Sequence, residues 1–337
     1  MRTSTAIFLA ILTVGVAAPF GGLYPLFLTK CLAFALFACS FNFFTGNVGL
    51  LSIGHAAFFG LGAYVAGHAL KVWGITPELA LGLAVLVGAS LGFVMGGMAI
   101  RRQGIYFAMV TLALAQMVYF FCLQAPFTGA EDGLQRIPRG RLFGLLLLDN
   151  DLVMYGFVLV SVAGAIWGLQ RLMEAPFGQV MLAIRDNEPR AMSLGYDCRS
   201  YKLMAFVISA SVAAFAGGLK AQTLGLASLP DAHWTQSGNV ILMCLLGGLG
   251  TAVGPIVGAT FIVALEGYLA DFGLINIMGL TIDLSTKIPI VIGAIFMLCV
   301  LMFRKGIVGE IIDRTKQYLR NAQAPVAAKQ VDTLLQK

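Results

Sequence analysis

Charge is the scarcest ingredient of this sequence. Asp, Glu, Lys and Arg make up 11% of its 337 residues, against 59% hydrophobic residues. Soluble domains carry about 25% charged residues, and a water-facing surface cannot be assembled from so few at this length. Recognisable chemistry is lacking too. No G-x-x-x-x-G-K-[ST] run occurs, so the chain has no phosphate loop of its own, and there is no H-E-x-x-H and no C-x-x-C. The three histidines, His55, His68 and His233, are dispersed. No catalytic or metal-binding set and no cofactor is expected, and no basic stripe with interleaved aromatics suggests a nucleic acid.

What is present is long apolar sequence. Residues 3–29, 31–70, 79–100, 103–130, 152–170, 203–219, 232–265 and 288–303 contain no Asp, Glu, Lys or Arg. A helix that crosses a bilayer needs roughly 20 apolar residues, and eight such windows cannot all be core helices of one soluble domain. The segments of about ten residues that build β-barrels are missing. The expected fold is an all-α, polytopic transmembrane helical bundle. Windows 31–70 and 232–265 exceed one crossing. Splitting the first near Phe44-Thr45-Gly46-Asn47 and the second at the Gly-rich run 247–255 gives about ten spans; a re-entrant half-window is the alternative.

Orientation follows from where Lys and Arg collect. Arg101-Arg102, the segment 171–202 and the tail from Arg304-Lys305 onward carry the clusters. Placing all three in the cytoplasm requires an even number of crossings between each pair, which independently supports splitting 232–265. Lys30, Lys71, Arg136, Arg139 and Arg141 then fall outside, the last three accompanied by Glu131, Asp132, Asp149 and Asp151. The N-terminal apolar run reads as a retained first span rather than a cleaved secretory signal. Five of the six cysteines lie in apolar windows and behave as small buried hydrophobes. Lys220, Glu266, Asp271, Asp283 and Lys287 are the candidate intramembrane charges. All five sit near a predicted span end and are expected to reach headgroups, which weakens the case for an ion-driven carrier.

The long basic loop is the most informative hydrophilic segment. Its helical reading puts Val180, Ile184 and Ala191 on one side, with Arg185, Asp186 and Glu188 elsewhere. Pro189 fits a first turn and Gly195 a C-terminal cap. The result is one or two short amphipathic helices, either a surface connector or a rigid knob that docks on a soluble partner. Glycines cluster at 46–62 and 247–258. Gly46-Asn47-Val48 and Gly238-Asn239-Val240 head the two regions, the mark an inverted internal repeat would leave, although close helix packing accounts for the same glycines. Ser52, Gly54, His55, Gly248, Gly250 and Thr251 are the candidates for lining a substrate path; His55 also fits a packed, satisfied core residue.

The stretch Ala183-Ile184-Arg185-Asp186-Asn187-Glu188-Pro189-Arg190-Ala191, with Ser193-Leu194-Gly195-Tyr196 and Tyr201-Lys202-Leu203-Met204-Ala205-Phe206, resembles the branched-chain amino acid permease family of ABC importers. Residues 47–64, Ala216-Gly217-Gly218-Leu219, Leu246-Gly247-Gly248-Leu249-Gly250-Thr251 and Gly254-Pro255 extend the likeness over roughly residues 25–305, and the chain looks like the larger, M-type subunit. The resemblance implies a multi-pass bacterial inner-membrane permease that is not itself an enzyme. Its implied partners are a second, related permease, two ABC ATPase subunits and a periplasmic substrate-binding protein. It makes residues 177–195 the coupling helix, with Arg185, Asp186, Asn187, Glu188 and Gly195 facing or shaping the ATPase contact. Residues 1–305 would form the permease domain and 306–337 a cytoplasmic tail. Branched-chain amino acids are the expected cargo; urea, short amides and other amino acids remain alternatives, and an ion-coupled secondary transporter or a membrane-embedded enzyme are the rival classes.

Overall fold

The computed structural model describes residues 2–22, 24–142, 144, 146–271, 274–277, 280–302 and 306–310. The fold is all-α. Among the described residues, ten longer helices are α1 (Arg2–Ala17), α2 (Pro25–Val48), α3 (His55–Lys71), α4 (Pro77–Ala99), α5 (Ile105–Gln124), α6 (Asp151–Glu174), α9 (Cys198–Leu224), α10 (Trp234–Gly247), α11 (Gly254–Asp271) and α12 (Leu284–Met302). Two short ones, α7 (Pro176–Asp186) and α8 (Glu188–Ser193), fill the basic loop. Proline sits in the first turn of α2, α4, α7 and α8, where its missing N–H costs nothing.

Among the described residues, five helices, α2, α4, α5, α6 and α9, are both long and apolar enough to cross a bilayer. The other five are shorter, α10 most of all. Its 14 residues rise about 21 Å, short of a hydrocarbon core of about 30 Å. Before it, residues 225–233 form no α-helix; Ala232 packs against Gly60 of α3, and Ser237 accepts from the Ala56 N–H at 2.8 Å. This irregular chain is enclosed by protein, with Ala227, Leu229, Asp231 and Ala232 all buried, the condition under which non-helical backbone is tolerated at depth. The window 232–265 is therefore a short helix, a break and a second helix.

At the centre α2, α3 and α9 pack so closely that side chains would collide. A Cβ on Gly62 would lie 2.2 Å from Ala214 O, and one on Gly217 would lie 1.9 Å from Phe59 O. These glycines let two backbones touch. Around them lie Phe37, Phe41, Phe44, Phe58 and Phe59, all fully buried. α2 runs through Val48, so the turn expected at 44–47 falls instead at residues 49–54. A break of the same length, six residues, separates α10 from α11 at 248–253. The Gly-Asn-Val triplets do not mark equivalent places: the first closes α2, the second lies in the first half of α10. What the two regions share is a helix interrupted for six residues.

The ends of the bundle sort the loops. Val48, Gly49, Leu50, Gln103, Gly104, Lys202 and residues 184–189 line one cleft of about 450 Å³. The loops after α2 and α4 and the α6–α9 connection thus lie at one end, as the charge parity requires. At the opposite end Leu134–Gln135 pairs antiparallel with Leu226–Ala227, Lys71 Nζ donates to Gln135 O at 2.9 Å, and Arg139 pairs with Asp151 at 2.6 Å.

Candidate functional site

The α7–α8 knob is built from its capping residues outward. α7 ends at Asp186; the Asn187 carboxamide then accepts from the Arg190 N–H at 3.0 Å and caps α8, with Pro189 in its first turn. Gly195 takes φ +90°, a left-handed conformation that lets the chain leave α8. The apolar side is the one the sequence pattern selects: Ile184 and Ala191 are buried against Cys198, with Val180 and Tyr201 packed alongside. Phe177 stacks on Tyr201 at 5.7 Å. Asp197 caps α9, accepting from the Ser200 hydroxyl at 2.5 Å and from the Arg199 and Ser200 N–H groups. That hydroxyl, then the Ser200 N–H, holds its carboxyl below the usual carboxylate range.

The charged residues of the knob divide into two groups. Arg185 turns inward: Nη1 donates to Gly46 O in the last turn of α2 at 2.6 Å, and its stem lies where a Cβ on Gly49 would sit 2.8 Å from Arg185 Cγ. Glu188 also turns inward, accepting from Lys202 Nζ at 2.6 Å and from Gln103 Nε2 at 2.9 Å. Asp186 faces out, with its side chain 71% exposed. The outward face carries apolar residues that helical periodicity does not mark: Met192, Leu194 (71% exposed) and Tyr196. Ala183, Asp186, Asn187, Arg190, Ala191, Leu194 and Tyr196 surround a notch of about 220 Å³. The signal for it was three large apolar residues at alternate positions in a segment too short to bury them.

Thr251, Gly248 and Gly250 form the break between α10 and α11. Gly248 and Gly250 take φ +115° and +79°, which a side chain would oppose. Thr251 Oγ1 donates to Gly248 O at 2.7 Å and accepts from the Gly254 N–H at 3.0 Å. Asn42, buried in α2 and not singled out from sequence, grips this break twice: its Oδ1 accepts from the Gly250 N–H at 2.8 Å and its Nδ2 donates to Thr251 O at 3.0 Å. Ser52, Gly54 and His55 lie at the other break. Ser52 Oγ accepts from the Gly54 N–H at 3.3 Å. His55 is fully buried, with Nε2 2.8 Å from Ser209 Oγ, and Ser209 in turn donates to Ser40 O at 2.6 Å. The rings of Phe41, Phe58 and Phe206 meet the imidazole edge-on at 5.2–5.8 Å. This places His55 in a three-helix tie of α2, α3 and α9.

One feature corrects the sequence reading. The Lys220 side chain is enclosed rather than extended to the surface of the bundle. It is buried in an ion pair with Asp231, which also accepts from the Ser228 hydroxyl at 2.8 Å. The side chains of Asp271, Asp283 and Lys287 lie outside the described residues. Separately, Gly88-Ala89-Ser90-Leu91-Gly92 has the G-x-S-x-G spacing of a nucleophile elbow, yet it lies inside α4, and the Ser90 hydroxyl donates to Leu86 O at 2.8 Å. A strand-to-helix turn is required for that chemistry, and none exists there.

Residues 24–303 match the model of a permease component of branched-chain amino acid transport systems. The chain belongs to that family. Among its relatives, the permease is 30% identical over 290 residues to the high-affinity branched-chain amino acid transport system permease protein LivM of Salmonella typhimurium, a match covering 78% of this chain and 68% of that protein. It is 29% identical to LivM of Escherichia coli, over 72% of this chain and 63% of that one. The galactose/methyl galactoside import permease protein MglC of Escherichia coli matches at 24% identity over 64% of this chain and 69% of that protein. The permease thus spans about two thirds of the length of the LivM proteins it matches. It is a membrane-spanning permease component of an ABC transport system.

Proposed function

We propose that this permease forms the translocation path of an ATP-driven importer for branched-chain amino acids in a bacterial inner membrane. The α7–α8 end is cytoplasmic, and α7–α8 is the coupling element on which a separate ABC ATPase subunit docks. The carrying observation is the division of labour within that knob. Arg185 and Glu188 fasten it to α2, α9 and the α4–α5 loop, while Leu194 and Tyr196 face out around a small notch and Met192 is exposed nearby in the chain. Inward polar ties with an outward apolar patch suit a rigid part that must be pushed by something else. Asp186 and Arg190 rim the patch, and Asn187 and Gly195 set its shape.

The full assembly in this reading pairs the chain with a second, related permease, two ATPase subunits and a periplasmic binding protein that delivers cargo. Residues 1–305 form the permease domain and 306–337 a cytoplasmic extension. The breaks at 49–54 and 248–253 are the parts of the substrate path that rearrange, with Gly248, Gly250 and Thr251 in one and Ser52, Gly54 and His55 bracing the other. Interrupted helices in corresponding positions are where transporters place such paths. The test is uptake of labelled leucine by the reconstituted assembly. Uptake should require ATP on the α7–α8 side and vanish when the ATPases are left out; uptake by the permeases alone would refute it. Galactoside import in the name of a relative favours a second reading, in which the cargo is a different small polar solute. The solute retained by the cognate binding protein decides between the two.

A further inference from the structure

We propose that one turn of α2, from Asn42 to Gly46, is the direct mechanical link between the α7–α8 knob and the α10–α11 break, with Arg185 and Asn42 as its positioning residues. The inference rests on the reading of α7–α8 as the coupling element and assigns how its movement reaches the membrane-embedded part.

The turn is held from both sides. On one, the Arg185 guanidinium donates to Gly46 O at 2.6 Å. Gly46 lies in the last turn of α2, among the carbonyls that a helix leaves without intrahelical partners, and a cation there also meets the negative end of the helix dipole. On the other, Asn42 spends both halves of its carboxamide on the break, accepting from the Gly250 N–H and donating to Thr251 O. The contact is tight as well as polar: a Cβ on Gly46 would lie 2.9 Å from Asn42 Oδ1 and 3.1 Å from the Gly250 backbone. Asn42 and Gly46 are four residues apart, one helical turn of about 5.4 Å.

A buried carboxamide with both groups satisfied by backbone is a costly thing to displace. The break it holds is the opposite kind of structure: two of its residues have positive φ, and the backbone bond closed within it, from the Thr251 N–H to Gly248 O at 3.3 Å, is that of a turn. A shift of α7 therefore pulls on α2 through Arg185, and α2 moves the break through Asn42. No intermediate element is needed. The geometry also explains why Arg185, although in the coupling segment, presents its guanidinium to α2.

The experiment uses the complete assembly in proteoliposomes and reads leucine transported per ATP hydrolysed, with ATPase co-purification as a separate measurement. Arg185→Met keeps the stem over Gly49 and removes the donor; Asn42→Ala removes the other grip. Each should leave ATPase bound and hydrolysing within about twofold while transport per ATP falls about tenfold, the size of one lost coupling contact. The double variant should be no worse than the worse single one, because both cut the same link. Asn42→Asp, which keeps the acceptor for Gly250 and loses the donor to Thr251, gives a milder loss and serves if Asn42→Ala fails to assemble. An unchanged transport-to-ATP ratio in the single variants, or losses that multiply in the double, would overturn the link. Loss of ATPase from Arg185→Met would overturn it too, by making Arg185 a docking contact. If the coupling reading itself fails, transport will not depend on ATPase in the unmodified assembly, a result visible before any variant is made.

Discussion

The two ends of the bundle are tied together in contrasting ways. At the end opposite the knob, Lys220 and Asp231 are both buried, Ser228 adds its hydroxyl, and a two-residue strand pair joins the α5–α6 connection to the chain after α9. The strongest ties there are a buried ion pair and a pairing of backbone with backbone. At the α7–α8 end the ties run from a small projecting unit into the bundle, each through one long side chain: Arg185 to Gly46 O, Glu188 to Lys202 and Gln103. The first pattern locks irregular backbone into place at depth. The second holds a rigid body by its inner face and leaves its outer face open. A transporter that must pass force from one end to its middle needs one fixed end and one handle.

Breaking each end separately sharpens the contrast. Lys220→Met leaves Asp231 buried without its cation, which costs about 3–5 kcal/mol. The expected result is a large drop in the unfolding temperature of the purified permease, with much of it recovered in Lys220→Met combined with Asp231→Leu. At the handle, Glu188→Ala removes a charge-assisted tie of about 1.5–3 kcal/mol. Since the pair is partly exposed, the low end of that range applies, and the effect should be local: faster hydrogen exchange across residues 188–202 with the global unfolding temperature nearly unchanged. Asn187→Ala removes the α8 cap, worth about 1 kcal/mol, and should raise exchange in 188–195 alone.

The smallest effect concerns Asp197. Its carboxyl is held below the ordinary range by Ser200. A depressed folded-state pKa contributes stability above the unfolded value, about 3.9, that is lost as pH falls through the folded value. The start of α9 should therefore fray only in strong acid. Ser200→Ala should move that fraying to higher pH, which exchange rates at residues 198–202 would register.

How much of this was legible in the sequence depends on whether one residue's neighbours along the chain determine its role. Charge-free windows report helices directly, because a helix satisfies its own backbone. The two short helices of the knob were equally legible, since Pro189 and Gly195 act within a few residues of themselves. Partners distant in sequence were not. Lys220 near a span end has the same local signature whether it reaches a headgroup or pairs with Asp231. Asn42 sits in an apolar run where nothing local separates a pin from a tolerated polar residue; its partners are 208 and 209 positions away. The inward turn of Arg185 and Glu188 was hidden for the same reason.

The central claim is that the outward face of α7–α8 receives the ATPase. The most direct measurement is ATPase retained by the detergent-purified assembly carrying Leu194→Asp, beside Val72→Asp at the opposite end, a residue also well exposed. The account predicts that Leu194→Asp strips the ATPase and abolishes ATP-dependent uptake while Val72→Asp keeps both. ATPase retained in full by Leu194→Asp, with uptake intact, would contradict it.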